Sequence, residues 1–154
     1  VKAREIEYDV PLSRTEIKVI IKDKINNIWQ ERWNLEEKGR HLYKIQKDII
    51  IRYNIIMNRR EEIWINRLRI GHTSLNTGLK IIGKHPTGNC SYCGEIGVEH
   101  VLIYCRKFIK ERKELETVLR SSVKMAELLG KHQSDKIIKA LIKYLKDTEL
   151  ARRI

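Results

Sequence analysis

Cys90-Ser91-Tyr92-Cys93-Gly94-Glu95-Ile96-Gly97-Val98-Glu99-His100-Val101-Leu102-Ile103-Tyr104-Cys105 contains every cysteine of the chain. Three cysteines cannot all pair as disulfides, and cysteines this clustered cannot staple a chain of 154 residues. They therefore read as metal ligands in a reducing compartment. The string is C-x2-C-x6-H-x4-C, with Cys90, Cys93, His100 and Cys105 as the ligand set. A C-x2-C turn brings two thiolates to one side, and Gly94 can adopt the left-handed conformation such a turn requires. His100 and Cys105, about one helical turn apart, complete a tetrahedron. Their spacing is slightly long for an ideal helix, so local loosening is expected there. Four protein ligands leave no open position, which predicts structural Zn2+ supplying folding free energy to a loop with few apolar residues of its own. His85, five residues before Cys90, ranks below His100 as a ligand.

Outward from this string the pattern is helical. Downstream, Val101, Leu102, Phe108, Ile109, Leu115 and Leu119 predict a helix over 98–119. A short helix over 123–129 stops at Gly130, and Ser134 caps a run in which Ile137, Ile138, Leu141, Ile142 and Leu145 make one stripe. Upstream, Lys84 to Gly97 has the composition of a compact loop, and a short helix is expected over 73–82 before Gly83. Asn58 with Glu61 forms a capping box that opens a helix ended by Gly71, with Ile63, Trp64, Arg67 and Ile70 on one side. Ser13 with Glu16 opens a longer helix through Trp33. Its Ile17, Ile21, Ile25, Ile28, Trp29 and Trp33 predict a buried stripe, and Trp29, Trp33 and Trp64 are read as core. Arg40 to Lys47 makes at most a short helix or turn. Residues 1–12 read as an entry strand or extended arm. The β-branched run Ile49 to Ile56 reads as a strand or a buried extended loop, and as a surface for weak self-association. The expected architecture is a mainly α, compact helical domain with a zinc-stapled loop-helix and little or no sheet. Residues 1–58 form an arm and long helix packed on the core and 59–154 the helical zinc-binding domain, together one structural unit.

The 32 Lys and Arg against 20 Asp and Glu leave a net charge of +12. Polyanions are the natural partners, nucleic acid above all, because Lys and Arg release counterions when they neutralise phosphates. No stretch has the roughly 20 apolar residues of a membrane span and no secretory signal core is visible, so an intracellular place in nucleus or cytoplasm, with no membrane partner, is expected. Between Ile63 and Lys110 only Glu95 and Glu99 are acidic, against Arg67, Arg69, Lys80, Lys84, Arg106, Lys107 and Lys110. Those seven cations are the candidate nucleic-acid contacts. Tyr92 and Tyr104 either pack over the metal loop or stack on an unpaired base. Arg67 and Arg69 project to different sides of their helix, so one of them is expected inside the fold.

Trp29-Gln30-Glu31-Arg32-Trp33, then Arg67-Leu68-Arg69-Ile70-Gly71-His72-Thr73, Gly83-Lys84-His85, the Cys90-x2-Cys93 pair, and Val98-Glu99-His100-Val101-Leu102 with Cys105 and Arg112 occur in that order. Their combination resembles the C-terminal zinc-binding (CCHC) region of non-LTR, LINE-type retrotransposon polyproteins. The resemblance implies a nucleic-acid-binding accessory domain of such a polyprotein, or of a host gene derived from one, contacting RNA or DNA and other domains of the parent protein. Reverse transcriptase or RNase H activity would lie outside this chain, because two-metal chemistry needs clustered carboxylates that the stretch from Ile63 to Lys110 lacks. The competing reading is a protein-protein interaction or dimerisation module whose basic charge is incidental.

Overall fold

The computed structural model describes residues 11–50, 57–130 and 134–154. The arm expected over residues 1–12, apart from 11 and 12, and the isoleucine run over 51–56 lie outside the described residues. Helix α1 spans Arg14–Leu35, α2 Arg40–Ile45, α3 Arg59–Ile70, α4 Asn76–Ile81, α5 Gly97–Glu99, α6 Ile109–Leu119, α7 Met125–Leu129 and α8 Asp135–Asp147. No strand occurs among the described residues, so the fold is mainly α.

Local chemistry sets the helix starts. Ser13 accepts from the Glu16 N–H while the Glu16 carboxylate accepts from the Ser13 N–H, a complete capping box on α1. Asn58 and Ser134 cap α3 and α8 through one bond each, so the box expected of Asn58 with Glu61 is half formed. Gly71, at φ 76°, closes α3 as the left-handed residue of a Schellman turn, with the His72 N–H donating to the Arg67 carbonyl.

The core is built around α8. Ile138, Leu141, Ile142 and Leu145 are buried along one stripe, as their spacing predicts. They meet α6 and α7, and α7 in turn meets α2 and α3. Leu115, Leu128, Leu129, Ile65 and Leu68 fill the space between, each essentially inaccessible to water. The buried face of α3 is Trp64, Ile65, Leu68 and Arg69; of the four residues expected to share a side, Trp64 is core as read, whereas Arg67 and Ile70 are exposed.

Helix α1 behaves differently from its pattern. Ile17, Ile21, Ile25, Ile28 and Trp29 are all exposed and no residue of α1 is buried, so the stripe read as core does not pack on the core. At 100° per residue, Gln30, Trp33 and Asn34 lie largely opposite Ile17, Ile21 and Ile28. That polar edge is the one that docks. The Gln30 amide donates to the Lys47 carbonyl and accepts from the Ile49 N–H, and half-buried Trp33 donates to the Gln46 carbonyl. Arg40 lies 4.2 Å from the centre of the Tyr43 ring and donates to the Trp33 and Asn34 carbonyls. Hydrogen bonds thus fix the helix with its apolar face turned outward.

Candidate metal centre

The ligand string folds into two arms. In the first, the Gly94 N–H donates to the Cys90 carbonyl and the Cys90 N–H to the Glu95 carbonyl, closing a tight turn that puts both thiols on one side. Gly94 sits at φ 75°, where a Cβ would be strained. In the second arm, α5 runs into a π-helical turn over His100–Tyr104, and the Cys105 N–H donates to the His100 carbonyl at 2.7 Å. On a regular α-helix, side chains five residues apart diverge by about 140°. The wider turn supplies the loosening that the His100–Cys105 spacing requires, and single π turns recur at functional sites. Cys105 then leaves the helix in an extended conformation (φ −60°, ψ 121°), followed by a 3-10 turn at Arg106–Phe108 and α6. The continuous helix expected over 98–119 is therefore broken at Cys105, because its thiol must turn back toward the first arm.

One ligand atom from each of Cys90, Cys93, His100 and Cys105 lies within 4.8 Å of the others. The Sγ atoms of Cys90 and Cys93 are each 3.9 Å from that of Cys105. A tetrahedral centre with metal-sulfur bonds near 2.3 Å has sulfur-sulfur edges of about 3.8 Å, so the spacing fits a shared metal and is far from a disulfide. His100 is 4% exposed, and neither ring nitrogen has a hydrogen-bond partner. Buried polar atoms without partners are costly, and a metal bond satisfies one of them. The residues therefore fit a metal ion. His85 does not join them; its Nδ1 accepts the Gly88 N–H inside the preceding loop.

The electrostatics suit ligation. Burial holds the His100 imidazole below its usual pKa, with Glu95 opposing and Arg112 reinforcing, which favours the neutral, metal-binding form. Burial pushes the Cys105 thiol up to about 11, so a metal must displace its proton. Burial also pushes Cys90 up, but the N–H groups of Tyr92 and Cys93 and the neighbouring thiols outweigh it and leave Cys90 below its usual value.

Support from behind comes from residues the spacing argument did not single out. Arg112, 6% exposed, donates through Nε to the Leu102 carbonyl at 3.0 Å and through Nη2 to the Cys105 carbonyl at 2.7 Å. Tyr144 donates to the Val101 carbonyl at 2.8 Å. These bonds satisfy carbonyls around the π turn and hold Cys105 in place. A signal was present: Phe108, Arg112, Leu115 and Leu119 recur at four- and three-residue steps, so Arg112 occupies a core register of α6. Thr77 ties the first arm down, accepting from the Gly97 N–H and donating to the Gly88 carbonyl.

The candidate nucleic-acid contacts divide. Lys80, Lys84, Arg106, Lys107 and Lys110 are exposed, as are Tyr92 (69%) and Tyr104 (63%). Arg67 is exposed and donates to the Ile154 carbonyl. Arg69 is corrected: it is 6% exposed, with Nε donating to the Leu129 carbonyl and Nη1 to Asn66, so it braces α3 on α7 and is closed to a phosphate. Tyr92, Cys93, Tyr104 and Arg106 share one surface recess with His100.

The chain is 30% identical over 111 residues to the "Retrovirus-related Pol polyprotein from type-1 retrotransposable element R1 2" of Nasonia vitripennis, a match covering 70% of this chain and 26% of that protein. The match supports a retrotransposon-related protein, and the chain spans about a quarter of the length of this curated relative. No protein-family model matches the chain. No solved structure matches it either. None of the described helices is long and apolar enough to cross a membrane.

Proposed function

We propose that this chain is a zinc-stabilised, CCHC-type accessory domain of a non-LTR retrotransposon polyprotein, or of a host gene derived from one. It grips RNA or target DNA through the basic surface around the metal centre, and catalysis resides in other domains. The observation that carries the reading is the coincidence of a closed three-cysteine, one-histidine centre with exposed Lys80, Lys84, Arg106, Lys107 and Lys110 and two exposed tyrosines. Thiolate and imidazole in a closed tetrahedron are the donor set of structural zinc, and reduced cysteines fit a nuclear or cytoplasmic protein. Arg106 and Lys107, which line recesses shared with His100, would position phosphates, and the tyrosines offer stacking faces.

The test is a binding titration of single-stranded and duplex oligonucleotides over a salt series. Lys84→Glu with Arg106→Glu is expected to weaken binding and flatten the salt slope by about one unit for each phosphate no longer neutralised. Lys136→Glu with Lys139→Glu makes the same charge change on the exposed side of α8. Equal effects of the two pairs would reduce the site to net charge alone and overturn it. The second reading, an interaction module, is favoured by the exposed isoleucine and tryptophan face of α1, which another polyprotein domain or a second copy could cover. Binding that is absent at low salt, together with concentration-dependent sedimentation, would select it.

A further inference from the structure

A cleft of about 120 Å³ opens between the Cys90–Tyr92 turn, the start of α4 and the last helical turn of the chain, and it reaches the metal centre, with Cys90 and His100 in its lining. Leu75, Val101, Phe108 and Leu150 give it apolar walls, and Tyr92, Lys107 and Arg153 line it as well. The walls are held by hydrogen bonds across the loops. The Asn76 amide donates to the Asn89 carbonyl at 2.5 Å and accepts from Arg153 at 2.6 Å, while Thr77 bridges Gly88 and Gly97. A cleft pre-formed in this way loses little entropy when a ligand enters. The Lys107 ammonium lies 4.8 Å from the centre of the Tyr92 ring and 5.5 Å from that of Phe108. At an exposed site such an interaction is weak, so an incoming group displaces it readily.

We propose that this cleft is a nucleotide subsite that takes one unpaired base against Tyr92 and the apolar walls, with the adjoining phosphate held by Lys107 and Arg153. The inference deepens the nucleic-acid reading above and rests on it. An apolar slot with an aromatic wall and two cations matches a flat body carrying an anion, which is a nucleotide. Glu95, the acidic group lining the cleft, can accept from a base N–H. A free mononucleotide and a base within a strand share this chemistry, so both serve as probes.

The experiment uses the full chain loaded with zinc, a labelled single-stranded oligothymidylate, and a strand of the same length and phosphate number whose sugars carry no bases. The base-bearing strand is expected to bind about tenfold more tightly, the scale of one stacked base. Tyr92→Ala should erase most of that preference, Tyr92→Phe should keep it, and neither should change the salt slope or the visible spectrum of the cobalt-substituted centre. Thymidine monophosphate that competes at micromolar to millimolar concentration would place free nucleotides in the cleft; competition by the strand alone would assign it to strand-borne bases. Equal binding of the two strands would overturn the cleft while leaving the phosphate-gripping surface intact. Failure of both strands to bind at low salt would overturn the underlying reading, and a preference that survives Tyr92→Ala would place the base elsewhere.

Discussion

Replacing Arg112 with Met isolates the contribution of the support behind the metal centre. Methionine keeps much of the aliphatic stem and removes two charged donors, leaving the Leu102 and Cys105 carbonyls short of partners. A buried acceptor left unsatisfied costs about 1–3 kcal/mol. Cys105 has a compensating bond, because the Phe108 N–H reaches its carbonyl at 3.3 Å. Against these losses stands the relief of burying a guanidinium, several kcal/mol by itself. The net change in metal-free stability is therefore expected to be small, within about 2 kcal/mol. Metal affinity should respond more strongly, because the two Arg112 bonds fix the backbone that carries the Cys105 thiol. Groups that orient ligands from behind typically contribute 10- to 100-fold in metal affinity. The assay is competition for Zn2+ with a chromophoric chelator, run beside thermal unfolding of the metal-free and metal-loaded forms. Arg112→Lys should recover only part of the affinity, since a point charge cannot span two carbonyls as the planar fork does. Unchanged affinity with an equal loss of melting temperature in both forms would refute the reasoning and reduce Arg112 to a packing residue.

Ile21→Gln with Ile28→Gln should alter unfolding free energy by less than about 0.5 kcal/mol in denaturant titrations, because both side chains are exposed, whereas Leu141→Ala should cost about 2–5 kcal/mol. Tyr144→Phe should cost about 1 kcal/mol at neutral pH through loss of the bond to Val101. Burial pushes the Tyr144 hydroxyl up to about 12, so its neutral form stabilises the fold fully below pH 10 and that contribution fades as pH rises toward 12. Alkaline unfolding curves of the Phe variant should lack that component. Gly78→Ala should destabilise severely, by about 3 kcal/mol or more, since a Cβ there would stand 1.8 Å from the Thr73 carbonyl oxygen, and calorimetry would read it directly.

The grouping of Cys90, Cys93, His100 and Cys105, the capped starts of α1, α3 and α8 and the core stripe of α8 were all legible in the sequence. Those are local properties: cysteine spacing, capping side chains and a 3.6-residue period act over a few residues and need no tertiary information. The misfit between the His100–Cys105 spacing and a regular helix was also legible, and the π turn is its resolution. Three further features depend on how distant parts of the chain pack. The isoleucine stripe of α1 has the same period as that of α8, yet it is exposed, because periodicity says which residues share a face and not whether a partner surface exists. Arg69 and Arg106 are the same residue type in the same basic stretch, but one is buried against the Leu129 carbonyl and the other rims the metal centre. Arg112 sits in a core register that the spacing of α6 shows, but its role as a support for Cys105 came only with the break of the helix at Cys105, which turns the Leu102 and Cys105 carbonyls toward its guanidinium.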